Sequence, residues 1–322
     1  MMFQLENKGV KTDAMRDVLA QTLIDLAKEN EKIAVLDADL IGASGLKAFQ
    51  KAYPERTFDC GIQEGNMVGV AAGMSECGII PFTHTFSCFA SRKCIDQAFL
   101  SACYAGLNVK MIGSDGGVVA TTNGGSHQGM EDMGIYNSLH NITLVEPTDA
   151  NMLRAILPQI VDTYGTFYIR QWRRCTEAIY TPDSTFTIGK GNVLRDGDDA
   201  TVIASGIEVS EALKAAEILE AQGVHIRVVD MFTWRPLDKE LIIESAKKTG
   251  CIVTAENHCL ASGLGHAVAA CTAENFPVPM GFIGVNEQYG EVGDLAYLMK
   301  KFELTADDIV KKVLATCARK KA

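Results

Sequence analysis

The 322-residue chain has little that would tie it to a membrane, an oxidising compartment or a nucleic acid. No apolar run is long enough to cross a bilayer, and the first residues, MMFQLENKGVK, lack the apolar core of a signal peptide. The 10 cysteines form no CxxC pair and no Cys/His cluster at metal-ligand spacing, so they read as reduced, mostly buried small residues. A formal charge of −10 argues against the basic face of a nucleic-acid binder. The Arg173-Arg174 run is too short to change that, and the Arg319-Lys320-Lys321 tail suits a solvated helix end. Proline is scarce, at 8 residues, and no GxGxxG follows a strand and opens a helix. These absences lead to the expectation of a cytoplasmic protein that touches neither membrane nor nucleic acid and holds no metal with its own side chains.

What is present is an alternation. At 47% hydrophobic residues, the chain has enough apolar side chains for a sizeable core and the length for two domains. KIAVLDAD (32–39), IIPFTHTF (79–86), NVKMIGSD (108–115), NITLVEP (141–147) and TFYIRQW (166–172) read as strands. Helical periods cover 13–29, 66–76, 91–104 and 149–161. Residues 173–199 are turn-rich and read as a linker with a short hairpin. A second alternation follows: strands ATVIASG, VHIRVVD, GCIVTAE and VPMGFIG, with helices over 208–222, 238–248, 263–275 and 307–318. The expected fold is α/β, two doubly wound domains spanning 1–187 and 188–322.

In open parallel sheets, functional residues gather beyond the carboxyl ends of strands. Glu64 lies in such a junction, CGIQEGN, between Gly61 and Gly65. It reads either as a helix-start carboxylate or as an acid that meets a heterocycle admitted by the glycines. Phe86 and Phe89 in HTFSCF are core or ligand-stacking residues, and His84 and His127 are structural or catalytic. The loop 114–129 is rich in glycine and small polar residues, shows no apolar anchor and ends in Ser126-His127-Gln128, which marks it as functional. Ser114-Asp115-Gly116 with Asn141 loosely echoes the GDG…N signature that holds Mg²⁺-diphosphate in thiamine enzymes, but the leading glycine is absent.

Taken in order, IQEGN, THTFSCFASRKCIDQ, NGGSHQGMED and YIRQW resemble the pyrimidine-binding domain of transketolases. The stretch from GDDATVIASG through RVVDMFTWRPLD to AENHCLASGLG resembles the transketolase C-terminal domain. The family's diphosphate-binding domain, with GDG…N, is not in this sequence. The resemblance therefore implies the C-terminal subunit of a split transketolase. It implies thiamine diphosphate and Mg²⁺ held mainly by an N-terminal partner subunit, and a heterotetramer with two copies of each chain. Glu64 matches the family's catalytic glutamate, which hydrogen-bonds N1′ of the aminopyrimidine so that the 4′-nitrogen can take the thiazolium proton. Phe86 and Phe89, with Arg92 close by, match the cofactor pocket. His127 matches a sugar-contacting, proton-transferring histidine, and Arg170 matches an arginine for the substrate's terminal phosphate.

Departures bear on the substrate. Ser114 stands where the family commonly has histidine, Asn123 where it has a sugar-reading carboxylate, and Asp13 where it has a second phosphate-binding arginine, with Arg16 one turn away. They point to a different ketose with an altered terminal group. The expected reaction is two-carbon transfer from an anionic ketose to an aldose. Alternatives are the beta subunit of a 2-oxo acid dehydrogenase-type decarboxylase, half of a 1-deoxyxylulose-5-phosphate synthase, or a non-catalytic nucleotide-binding α/β subunit.

Overall fold

The computed structural model describes residues 2–6 and 8–321; Met1, Asn7 and Ala322, which the two expected domain spans include, lie outside the described residues. In chain order the first strands are β1 (Lys11–Ala14), β2 (Ile33–Asp37), β3 (Thr57–Asp59), β4 (Ile80–Phe86), β5 (Lys110–Ser114), β6 (Ile142–Val145) and β7 (Thr166–Gln171). They continue with β8 (Cys175–Glu177), β9 (Asn192–Arg195), β10 (Ala200–Ala204), β11 (Ile226–Asp230), β12 (Thr233–Arg235), β13 (Ile252–Cys259) and β14 (Met280–Val285). One sheet has the order β12-β6-β7-β5-β4-β2-β3 and a second the order β14-β13-β10-β11-β9. Each is parallel apart from one antiparallel edge strand, β12 and β9 respectively.

The strands are buried along their whole length in β2, β4, β5, β7, β10 and β11, as a parallel sheet covered on both faces requires. Covering helices bury one stripe each. Met15–Glu29 turns Val18, Leu19, Leu23 and Ala27 inward, and Ala150–Asp162 buries Leu153, Ile156, Leu157 and Ile160. Asp149 caps the latter, its Oδ1 accepting from Met152 N at 2.8 Å.

Three expectations need correcting. The linker forms no hairpin: β8 pairs with β1 and β9 with β11, both outside the segment. The helix expected over 91–104 is broken into Ser87–Arg92, Ile95–Gln97 and a π-helical turn, Ala98–Tyr104. The loop over 114–129 does have apolar anchors, because Val118 and Val119 are buried within a 3-10 turn, Gly117–Asn123.

The first sheet also draws a strand from beyond residue 188. β12 leaves the second half of the chain and extends the first sheet, Thr233 opposite Val145. Buried polar contacts reinforce this seam. Asp230 Oδ2 accepts from Tyr180 Oη at 2.6 Å and from Thr148 Oγ1 at 2.7 Å, and Ser205 Oγ donates to Glu146 Oε2 at 2.7 Å. His258 is fully buried there, with Nδ1–H donating to the Cys259 carbonyl (2.8 Å) and Nε2 accepting from Gly134 N–H (3.1 Å). Both nitrogens suit only the neutral ring, and burial pushes the pKa from 6.5 down to about 4.

Stability in acid depends on this ring. Between pH 6.5 and about 4 the unfolded chain holds the His258 proton and the folded chain does not, so stability falls as pH drops through that window. Urea unfolding across the window should show this histidine contributing a loss of roughly 3 kcal/mol. His258→Gln should flatten that part of the pH profile; an unchanged slope would count against it.

Candidate functional site

The carboxyl ends of the first sheet's strands form a rim on which Phe86, Ser114 and Gln171 lie abreast in register. Glu64 opens the helix Glu64–Glu76 near this rim, at the end where free amide groups favour a carboxylate. It is nearly buried, and its Oε1 sits 2.8 Å from Lys93 Nζ. The same ammonium lies 4.3 Å from the centroid of the Phe89 ring, so one cation joins the acid to an aromatic surface. The rings of Phe86, Phe89 and His127 form a triangle. The two phenylalanine centroids are 6.2 Å apart, and they stand 5.9 and 5.2 Å respectively from His127. Both contacts with His127 are edge-on, the arrangement aromatic quadrupoles favour.

His127 is delivered by a loop clamped at both ends. Gly117 N donates to Gly129 O (2.8 Å), and Asn257 of the second domain accepts from Val118 N and donates to Gly116 O, both at 2.9 Å. At Gly117, where φ is +67°, an added Cβ would lie 2.2 Å from Asn257 Oδ1, so only glycine admits the clamp. Arg92 braces the same loop, donating to Ser126 O (2.9 Å) and Cys88 O (3.2 Å) and pairing with Glu131 at 3.2 Å. Ser126 Oγ lies 2.9 Å from His127 Nδ1. On the second-domain side, Gln128 Nε2 donates to Glu291 O at 3.0 Å.

The structure therefore brings Glu64, Phe86, Phe89 and His127 together, with Arg92 supporting the loop. Asn123 is exposed at the end of the 3-10 turn. Ser114 is fully buried, its Oγ 3.5 Å from Thr85 O, so the expected substrate contact is corrected: no hydroxyl reaches the surface. His84 is equally buried, its Nδ1 3.3 Å from Asp37 Oδ2.

The expectation for Arg170 is also corrected. Tyr168 and Arg170 alternate to the same face of β7, and both hydrogen-bond Asp132 Oδ2, at 2.8 and 3.0 Å. Arg170 also donates to Glu146 Oε1 (2.6 Å), Gly129 O (3.3 Å) and Asn257 O (2.8 Å), and is 2% exposed. A guanidinium so enclosed is not free to take a substrate anion.

Arg173, three residues further on, is the arginine that reaches the aromatic triangle, its guanidinium carbon 4.6 Å from the Phe86 centroid. Asp115 orients it, accepting from Arg173 Nε (2.6 Å) and backbone N (3.0 Å). Asp115 itself adopts a left-handed φ of 55°, a strained conformation for a side-chain-bearing residue. The Arg173 carbonyl accepts from Arg16 N at 3.3 Å, which sets the start of the first helix against it. In the sequence Arg173 is legible only as part of a short basic run; its distance beyond the strand end is the available signal. Lys93 and the tie between Asn257 and the His127 loop have no local signal.

The similarities to known proteins are specific. Residues 11–176 match the family "Transketolase, pyrimidine binding domain" and residues 189–309 "Transketolase, C-terminal domain". The chain is 47% identical to the 6-deoxy-6-sulfo-D-fructose transketolase subunit SqwH of Clostridium sp. (strain MSTE9), over 95% of each chain. It is 32% identical to an apulose-4-phosphate transketolase subunit of Phocaeicola vulgatus, over 94% of this chain and 96% of that one. A solved structure, "Split gene transketolase, inactive beta4 tetramer", superposes with a TM-score of 0.88 at 42% identity, covering 96% of this chain and 99% of that one. The chain belongs to the transketolase family: it carries the pyrimidine-binding and C-terminal domains of a thiamine diphosphate-dependent, transketolase-type transferase. Among the described residues, no helix is long and apolar enough to cross a membrane.

The two arginines should separate cleanly on mutation. Arg170→Leu strands Asp132 and Glu146 as buried carboxylates without a counter-charge, and should cost about 3–5 kcal/mol of stability. Arg173→Ala should cost distinctly less, because its position is partly open to water. Urea unfolding of both variants checks this, and equal losses would contradict the assignment.

Proposed function

We propose that this chain is the C-terminal subunit of a split transketolase that takes a two-carbon ketol unit from a ketose with an anionic terminal group and passes it to an aldose. The observation that carries the reading is the Glu64–Lys93–Phe89–His127 constellation: a nearly buried acid beside an aromatic box, at the mouth of a loop held from the second domain. A carboxylate and two phenylalanine faces suit a flat, basic aminopyrimidine, so these residues fit the pyrimidine end of thiamine diphosphate. Among the described residues, no group of three or more His, Cys, Asp or Glu side chains is placed to hold a metal. The family resemblance supports assigning the diphosphate and Mg²⁺ to an N-terminal partner subunit.

When bound, thiamine diphosphate supplies the carbon nucleophile and electron sink of two-carbon transfer. The roles of this chain are narrower. Glu64 shares a proton with a ring nitrogen of the pyrimidine, and Lys93 holds its carboxyl in place. Phe86 and Phe89 pack against the ring and exclude water. His127, oriented by Ser126, exchanges protons with the sugar's hydroxyls. Arg173, with Arg16 at the same edge, takes the anionic end of the donor; its planar fork suits phosphate and sulfonate alike. The SqwH relative makes 6-deoxy-6-sulfo-D-fructose the first donor to examine.

The exposed apolar residues Ile62, Val70, Phe99, Leu100 and Tyr104 support a shared site. Ile62 and Val70 flank Glu64 in sequence, and the last three belong to the π-helical turn that packs on the Glu64 helix. A patch of that kind marks an association surface, here for the partner and for a heterotetramer in the cytoplasm.

The complex reconstituted with a partner subunit, thiamine diphosphate and Mg²⁺ should transfer from 6-deoxy-6-sulfo-D-fructose or its 6-phosphate counterpart and should not consume pyruvate. Glu64→Gln should lower kcat by about 100-fold or more while subunit association, read by gel filtration, is unchanged. Arg173→Ala should raise KM for the anionic ketose by about tenfold or more and leave that for an uncharged ketose unaltered. Wild-type turnover in the Glu64 variant, or turnover of pyruvate, would sink the reading.

A further inference from the structure

Cys251 and Cys317 form the one thiol–thiol hydrogen bond among the described residues, with their sulfurs 3.8 Å apart. Cys251 is buried immediately before β13, and Cys317 is half-buried in the last turn of the helix Ala306–Ala318. Both thiols lie on a single backbone carbonyl, that of Asp199, at 3.7 and 3.5 Å. Lys320 Nζ donates to the same carbonyl at 2.6 Å and to Thr249 O at 3.0 Å, which puts a fixed ammonium in the cluster. No third His, Cys, Asp or Glu side chain completes a metal set among the described residues, so the arrangement is that of a dithiol.

We propose that Cys251 and Cys317 are a reversible disulfide-forming site that reacts with hydroperoxides, with Cys317 attacking and Cys251 resolving. A disulfide needs the sulfurs at about 2.05 Å, so they close by a little under 2 Å. Cys317 sits where a helix ends in a short 3-10 turn, the part of a helix that yields most readily. In the first step the Cys317 thiolate attacks the O–O bond, forming a sulfenic acid and releasing the alcohol, or water from hydrogen peroxide. In the second, the Cys251 sulfur displaces the sulfenic hydroxyl, which leaves as water with the Cys251 proton. Two electrons, one from each sulfur, thus reduce one peroxide. The polarity of the pair agrees with these roles. The hydrogen bond from Cys251, helped by Lys320, brings Cys317 down to about 7 against the effect of burial, and the same contact raises Cys251. The bridge would span 66 residues of sequence and clasp the terminal helix to the second sheet.

The test uses the full chain, folded, and is independent of the sugar chemistry. Substoichiometric hydrogen peroxide followed by alkylation should remove two of the ten thiols first. Non-reducing peptide mapping should recover a Cys251–Cys317 cross-link that dithiothreitol reverses. Cys251→Ser should instead leave a dimedone-reactive sulfenic acid on Cys317. Oxidised wild type should melt at a higher temperature than reduced wild type, a shift absent in Cys317→Ser. Consumption of the exposed Cys77 and Cys175 before any such bridge, or a bridge that appears only in denaturant, would overturn the proposal.

Discussion

A buried guanidinium organises this molecule. Arg170 ends its side chain among Asp132 on the far side of the His127 loop, Glu146 at the end of β6, and the carbonyls of Gly129 and Asn257. Desolvating a cation this completely is tolerated only when its donors are matched by acceptors, and here two carboxylates and two carbonyls match them. Those acceptors come from both sheets and from the loop that carries His127. The packing of the two domains and the placing of a candidate catalytic side chain therefore rest on one electrostatic knot. Asn257 belongs to that knot twice, through its carbonyl to Arg170 and through its amide to the loop backbone.

Local pattern accounts for most of the architecture. The mainly apolar runs that form β2, β4, β5, β7, β10 and β11 are readable because a strand buried on both faces carries apolar residues on both. What escapes is pairing at a distance. β8 and β9 sit in one turn-rich segment yet belong to separate sheets, and β12 is three residues long with its partner far back in the chain. No local periodicity encodes such contacts. The break in the helix over 91–104 escapes because its apolar positions continue through the π-helical turn, where the phase changes but the composition does not.

The candidate site divides the same way. Glu64, Phe86, Phe89 and His127 are legible as residues of the right type in the right order, and they converge in space. Arg170 is misplaced by sequence reasoning because strand alternation decides which side of a sheet a residue faces, and one position along β7 separates the rim from the seam. Arg173 gains its position from lying past the strand's end, where the chain turns over Phe86. Asp115, in its left-handed conformation, then holds it. Type and order are sequence properties; facing is a property of the register.

The strand that β12 lends to the first sheet reaches beyond packing. This three-residue segment from the second half hydrogen-bonds to β6 and ends in Arg235, whose guanidinium caps the Leu139 carbonyl at 2.6 Å. The two halves are therefore not interchangeable modules joined by a tether. Separating them would leave β6 as an open edge in the first fragment and β12 without its partner in the second, each prone to pair with whatever strand it met. The two domains are thus sewn into one piece by a shared strand pairing.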